Sequence, residues 1–171
     1  MASTKPKENG KEGKNHNTPI LDMGKEKKGI VSSLNQLLAN YSVHFQKLRN
    51  YHWNVKGEDF FDLHEQFELQ YNEAKMNIDE IAERIRVFDM TPLSTMEDYL
   101  RVSEIMETSP DISSDAMVEE ILNDYRILLS HMYNIVSIAS ENDDSGTGEM
   151  IKRFIKSIEK HHWMLSAFSN K

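Results

Sequence analysis

Apolar side chains recur every three or four residues along most of this sequence, which is the pattern of amphipathic helices. The first such stripe is followed by Lys56 and Gly57, and because glycine commonly ends helices, a first helix is predicted to end there. A second helix is predicted from about Phe60 to Phe88, with Pro92 just beyond its end. The two stripes consist of Leu34, Leu37, Leu38, Tyr41, Phe45 and Leu48, and of Leu63, Phe67, Ala74, Ile78, Ile81, Ala82, Ile85 and Phe88.

Two more helical stripes follow a connector of roughly twenty residues. The connector contains STMEDYLRVSEIM, which predicts a short helix, and the cap-rich PDISSD then opens a third long helix. The turn ENDDSGTG leads to a fourth helix, whose apolar stripe consists of Ile151, Phe154, Ile155, Ile158, Leu165 and Phe168. Tight turns on either side of one long crossover are typical of a ferritin-like bundle. We therefore predict an all-α, ferritin-like four-helix bundle with a short extra helix between helices two and three.

Composition narrows the chemistry that this bundle could carry. The chain has 171 residues, enough for one domain, and no cysteine. Disulfides and thiolate ligands are therefore excluded, so any metal would bind to His, Asp or Glu. No apolar run approaches the ~20 residues of a membrane span, and the N-terminus lacks the apolar core of a secretory signal. We expect a soluble, cytoplasmic protein that does not bind membranes.

Charge divides the chain into two parts. Residues 1–28 contain seven lysines and four acidic residues, a net charge of +3. Since the whole chain has a net charge of −8, the remaining residues carry −11. The sequence predicts a flexible Lys-rich tail over residues 1–28 and a bundle domain over residues 29–171. Repeated around an oligomer, such a tail would bind phosphate nonspecifically. The candidate DNA contacts are Lys5, Lys7, Lys11 and Lys14.

Two histidines flank the break between the first two helices. His52 continues the apolar stripe of helix one, where a lone histidine is usually a core residue. His64 shares one face of helix two with three carboxylates, Glu68, Asp79 and Glu83, all within about 100° on the helical wheel. Solvated carboxylates are common on such a face, but two histidines beside them indicate metal ligands.

The spacing of these ligands argues for a site shared between chains. His64 and Asp79 are fifteen residues apart, which is ~22 Å along a helix axis. Because ligand bonds are only ~2 Å long, one metal site cannot span that distance within a single chain. A two-fold axis near Asn72 would bring His64 of one chain to Asp79 and Glu83 of another, creating two equivalent sites per dimer. Nitrogen and carboxylate ligands suit iron, with zinc or manganese as possible competitors.

The same residues resemble the Dps family of mini-ferritins (DNA-binding proteins from starved cells). The resemblance lies in HWNVKG, the second histidine twelve residues after the first, IDEIAERI, and WMLSAF near the C-terminus, and it covers roughly residues 30–168. It implies a ferroxidase centre at a two-fold interface, with His52 and His64 from one subunit and Asp79 and Glu83 from its mate. The family commonly has Asp where this chain has Glu68, and Trp53 matches an aromatic residue beside the family's site.

The resemblance also implies an assembly and an activity. Members of the family form hollow dodecamers that oxidise Fe(II), preferentially with hydrogen peroxide, and store ferric iron, which protects DNA and the cell from oxidative damage. Negative pores would concentrate cations by electrostatic steering. Candidates for an iron entrance are Glu141, Asp143, Asp144 and Glu149, although a solvated acidic turn explains them equally well.

Two alternative functions remain open from the sequence. An ordinary ferritin with its di-iron site inside one bundle needs a Glu-x-x-His motif on two helices, and Glu159 with His162 supplies one. Helix two has Phe61 where the second motif needs Glu, and His162 lies near the apolar stripe, as a packing residue would. The other alternative is a nonspecific DNA-compacting protein of the nucleoid, in which iron chemistry is minor.

Overall fold

The predicted all-α bundle is confirmed by a computed structural model, which describes residues 27–169 and, among these, the side chains of residues 28–169. That part of the chain contains five helices and no strand. The tail lysines considered as DNA contacts lie outside the described residues. The helices are α1 (Lys27–Asn54), α2 (Phe60–Val87), the short α3 (Met96–Val102), α4 (Ser114–Glu141) and α5 (Ser145–Ser169).

The apolar stripes form one core. Helix α1 packs against α2 and α4, α4 packs against α5, and α3 lies on α1. Leu34, Leu37, Leu38 and Leu48 have no exposed surface, and burying one such side chain stabilises the fold by about 1.5–3 kcal/mol. The predicted stripes therefore supply the interior that holds the four long helices together.

A tight turn joins α1 to α2. Helix α1 ends at Asn54, slightly before the predicted stop, and the N–H of Val55 still bonds to the carbonyl of Tyr51 (2.8 Å). Gly57 has a φ of +106°, a conformation that only glycine adopts without strain. The turn places the end of α1 beside the start of α2.

The connector between α2 and α4 lies against α1 and is held there by hydrogen bonds. The hydroxyl of Thr95 caps α3 by accepting from the N–H of Asp98 (3.2 Å). The side-chain oxygen of Asn40, a buried residue of α1, accepts hydrogen bonds from the backbone N–H groups of Glu104 (2.9 Å) and Ile105 (3.0 Å). These bonds satisfy the connector's backbone groups and hold it against the bundle.

Helix α5 begins earlier than the sequence predicted. The stretch ENDDSGTG was expected to be a turn, but only Asn142, Asp143 and Asp144 lie between the helices. The Asp144 carboxylate accepts from the N–H (3.1 Å) and the hydroxyl (2.6 Å) of Thr147. This capping interaction starts the helix at Ser145.

Candidate metal centre

His52 and His64 contact each other across the turn between α1 and α2, and we call this pair the histidine clasp. Their rings stack with centroids 3.8 Å apart. Nδ1 of His52 donates to the carbonyl oxygen of His64 (2.9 Å), and Nδ1 of His64 donates to the carbonyl oxygen of His52 (2.8 Å). Because a carbonyl only accepts, both Nδ1 atoms carry the proton, which leaves both Nε2 lone pairs available for a metal. The two imidazoles therefore fit a metal as neutral nitrogen ligands.

Aromatic side chains fix the orientation of this histidine pair. The Phe60 ring stacks on His64 at a centroid distance of 5.0 Å, and the Tyr71 ring meets His52 edge-on at 5.4 Å. Trp53, which the family resemblance placed beside the site, is 56% exposed and lies against the guanidinium of Arg49 (4.7 Å). Both histidines are half-buried, so the pair is supported from within its own chain and remains accessible.

The candidate carboxylate ligands lie on the surface of α2. Glu68, Asp79 and Glu83 are all exposed, and Glu68 accepts a hydrogen bond from the Tyr71 hydroxyl (3.3 Å). Within residues 28–169, neither the Asp79 nor the Glu83 side chain forms a hydrogen bond or ion pair, and no three His, Asp or Glu side chains converge as a metal site in one chain. Since α2 is a continuous helix, His64 and Asp79 are separated by ~22 Å along its axis.

The Glu-x-x-His pair of α5 does not come together as a ligand set. Glu159 accepts a hydrogen bond from the Tyr133 hydroxyl on the surface (2.6 Å), and His162 bonds to the Ser166 hydroxyl (3.4 Å). Its neighbour His161 instead reaches α2, where Nε2 donates to the Glu73 carboxylate (2.8 Å). That hydrogen bond lowers the pKa of Glu73. The described residues thus contain no di-iron ligand set inside the bundle.

A charged network in the bundle interior was not predicted from the sequence. The Asp124 carboxylate accepts from Nδ1 of His44 (3.0 Å) and from Nζ of Lys47 (2.9 Å), and all three side chains are at most 5% exposed. The adjacent Tyr125 donates to Gln70 (2.6 Å), and burial raises the pKa of its phenol. The only available signal was that charged residues interrupt the helical apolar pattern. Each of these buried groups has a bonded partner, so the network joins α1 to α4, and removing one member would leave another buried and unpaired.

The proposed iron-entrance residues occupy different environments. Asp144 is bound by Arg84 and caps α5, with its side chain only 7% exposed, so its carboxylate is already used structurally. Glu141 ends α4 and Glu149 belongs to α5, because that helix starts early. Asp143 and Glu149 are exposed and line a groove of about 360 Å³ beside the turn. These two carboxylates, unlike Asp144, are accessible to cations.

Comparison with known proteins shows similarity to ferritin-like proteins along most of the chain. The model of the ferritin-like domain family matches residues 31–171. The chain is 43% identical to DNA protection during starvation protein 2 of Bacillus anthracis, over 84% of this chain and 98% of that protein.

Two crystal structures show the same fold. A Dps protein from Bacillus brevis has a TM-score of 0.83 and 36% identity, covering 86% of this chain and 99% of that chain. The Dps protein from Vibrio cholerae O1, a member of a broad superfamily of ferritin-like diiron-carboxylate proteins, has a TM-score of 0.81 and 35% identity, covering 84% and 90%. In the part of the chain that the structure describes, no helix is both long and apolar enough to cross a bilayer.

Proposed function

Because the chain belongs to the Dps family of ferritin-like proteins, we propose that it is a ferroxidase that oxidises Fe(II) with hydrogen peroxide at centres shared between subunits. His52 and His64 bind iron from one chain, and Asp79 and Glu83 bind it from the two-fold mate. Glu68 is the additional carboxylate beside the histidines. Zinc and manganese compete for the same nitrogen and oxygen ligands.

The histidine clasp carries this proposal. Two imidazoles whose Nδ1 protons are committed to backbone carbonyls have their Nε2 atoms free for a metal. Among the described residues of one chain, no group of three His, Asp or Glu side chains converges as a metal site, and Asp79 and Glu83 have no side-chain partner there. Antiparallel pairing of α2 with its copy would give the histidines of one chain further ligands and would give Asp79 and Glu83 of the other chain a metal to bind.

Pairing two iron ions explains the choice of oxidant. Two Fe(II) ions give up one electron each, and with two protons these electrons reduce one hydrogen peroxide to two water molecules. No one-electron step then releases a hydroxyl radical, which is how the activity would protect DNA and the cell. We further propose that twelve chains enclose the ferric product, and that Asp143 and Glu149 guide cations inward by electrostatic attraction.

Co-expression of two inactive variants tests the shared centre. His52→Ala/His64→Ala and Asp79→Asn/Glu83→Gln should each lose the fast phase of Fe(II) oxidation by peroxide in stopped-flow measurements. In a mixed assembly, a site is complete only when its histidines come from the second variant and its carboxylates from the first. Random pairing about a two-fold axis therefore restores about a quarter of the wild-type sites.

The controls separate catalysis from assembly. Each variant alone should keep the wild-type helical fold by circular dichroism, because the changed side chains lie on the surface of the bundle or at its edge. Its oligomeric mass in solution is measured as well, since the same side chains lie at the proposed two-fold interface, and lost activity supports the ligand assignment only in variants that keep the wild-type mass. Mixed assemblies that stay inactive would contradict the shared centre, and a wild-type chain that remains monomeric would do the same. Unchanged oxidation by the histidine variant would overturn the ligand assignment.

DNA binding through the tail is a second candidate function. It is favoured by the net +3 of residues 1–28 and by the name of the B. anthracis relative. Lys5, Lys7, Lys11 and Lys14 would contact phosphates without reading sequence, so affinity should fall steeply with added salt. Bound to the nucleoid, the protein would keep its iron chemistry close to the DNA.

Deletion of residues 1–26 tests this second function and leaves α1 intact, since that helix begins at Lys27. The deletion should abolish the mobility shift of duplex DNA without slowing Fe(II) oxidation. A shift that persists after the deletion would show that the tail is not the DNA-binding element.

A further inference from the structure

We infer that Tyr71 is a positioning residue of the proposed centre and that it acts through Glu68 on the binding of the second metal ion. This inference rests on the proposed function and adds a residue to it. Tyr71 follows His64 by two helical turns, so it lies on the same side of α2 as the candidate ligands.

Tyr71 links the two helices that supply ligands. Its ring meets the His52 ring of α1 edge-on, with centroids 5.4 Å apart, and its hydroxyl donates to Oε1 of Glu68 on α2 (3.3 Å). Among the described residues, Tyr71 is the side chain that makes both contacts. The position of the Glu68 carboxylate is therefore set relative to the imidazole of His52.

The ring of Tyr71 is itself held in place. On α1, the Phe45 ring also packs edge-on against it, at a centroid distance of 6.1 Å and an interplanar angle of 83°. Contacts with both Phe45 and His52 restrict the rotation of the phenol. The hydroxyl therefore points in a defined direction before any metal binds.

Glu68 needs such support because it is long and exposed. Ordering a glutamate side chain costs up to about 2 kcal/mol of rotamer entropy. A phenol that donates to Oε1 removes part of that disorder in advance and leaves Oε2, together with the remaining lone pair of Oε1, free for a cation. The metal beside Glu68 should then bind more tightly than it would to an unrestrained carboxylate.

Anaerobic titration with Co(II) measures this effect without oxidation. Co(II) accepts the same nitrogen and oxygen ligands as Fe(II), and its visible absorption reports on its coordination. On the assembled full-length protein we expect two classes of site per histidine pair. Tyr71→Phe keeps the ring and removes the hydroxyl, so it should weaken the weaker class by about 10-fold, the lower end for loss of a supporting hydrogen bond, and leave the tighter class unchanged.

A double-mutant cycle tests whether Tyr71 works through Glu68. Glu68→Ala should weaken the same class, and adding Tyr71→Phe to it should cause no further loss, because alanine leaves the Tyr71 hydroxyl without its acceptor. The matched control is Tyr133→Phe. Tyr133 of α4 makes an exposed phenol–carboxylate hydrogen bond with Glu159 of α5, and neither helix carries His52 or His64. That control should leave both classes of site unchanged.

The possible results separate this inference from the proposed function. If the wild type binds no more Co(II) than His52→Ala/His64→Ala, the proposed centre itself is wrong. If the wild type shows both classes but Tyr71→Phe matches it, only the role of Tyr71 is wrong. Additive losses in the cycle, or an equal loss in Tyr133→Phe, would also overturn the positioning role.

Discussion

The hydrogen bond between His161 of α5 and Glu73 of α2 illustrates how single residues tune this bundle. It is the main reason that the pKa of Glu73 lies below its usual value, and the Ser157 hydroxyl acts in the same direction. A carboxylate with a lowered folded-state pKa stabilises the fold when it is ionised. That contribution is fully present above the unfolded-state pKa of ~4.3 and is lost as the pH falls toward the lower folded-state value.

Glu73→Gln should therefore reduce the acid sensitivity of the fold. The variant lacks the carboxylate whose protonation costs stability, so its urea midpoint should fall less than that of the wild type between pH 6 and about pH 3. Urea unfolding followed by circular dichroism at several pH values measures the difference. Glu159→Gln serves as the control, and a parallel loss in wild type and Glu73→Gln would contradict the role of this hydrogen bond.

Residues were predicted from the sequence where the helical phase was unambiguous. His52 and His64 stood out because each interrupts or adjoins a long apolar stripe, and the structure brings them together. His161 was missed because the Glu-x-x-His spacing from Glu159 selects His162, and no local pattern indicates the contact of His161 with Glu73 on α2. Lys47 and Asp124 were missed for a different reason, since their mutual pairing joins residues 77 positions apart.

At the scale of helices, the turn between α1 and α2 determines where the two histidines lie. The α1–α2 turn brings the two histidines together, and its geometry depends on Gly57, where an added Cβ would have no neighbouring atom within 4 Å outside the adjacent residues. The constraint there is thus conformational, not steric. Gly29, inside α1, also has open space around it but does not have a positive φ.

These two glycines form a matched pair for mutation. Gly57→Ala should destabilise the protein by about 1–2 kcal/mol, because an L-residue is strained at this positive φ. Gly29→Ala should be neutral or stabilising by up to about 1 kcal/mol, because alanine favours helix. Urea unfolding measures both, and equal effects of the two changes would show that φ at residue 57 is not the cause.

The helices were more predictable than their ends. The apolar stripes indicated all four long helices and STMEDYLRVSEIM indicated α3, since these patterns are local. The start of α5 was predicted too late because Asp144 gains a capping bond to Thr147 and an ion pair to Arg84, sixty residues earlier in the chain. The same contacts removed Asp144 from the accessible carboxylates of the predicted iron entrance. Long-range contacts of this kind leave no periodic signal in a sequence.

At the scale of the whole molecule, the distance between the histidines and the carboxylates of α2 means that a centre containing both would need two subunits. The sequence predicted a shared centre from the ligand types, the helix geometry and the resemblance to the Dps family, and this stays a prediction about the assembly. Within residues 28–169 of one chain, the histidine clasp and the carboxylates Asp79 and Glu83 do not meet. The acidic balance of −11 outside the tail would attract Fe(II) to every such chain, assembled or not.

The separation of these half-sites along α2 has a consequence for the time at which reactivity appears. On the proposed arrangement, a newly made chain presents two imidazole nitrogens with Glu68 beside them and a distant pair of carboxylates, and each set is only part of the centre. Peroxide chemistry would begin only once subunits have met, when the ferric product already has an enclosure to enter. Folding of one chain would yield a safe precursor, and quaternary assembly would serve as its activation step.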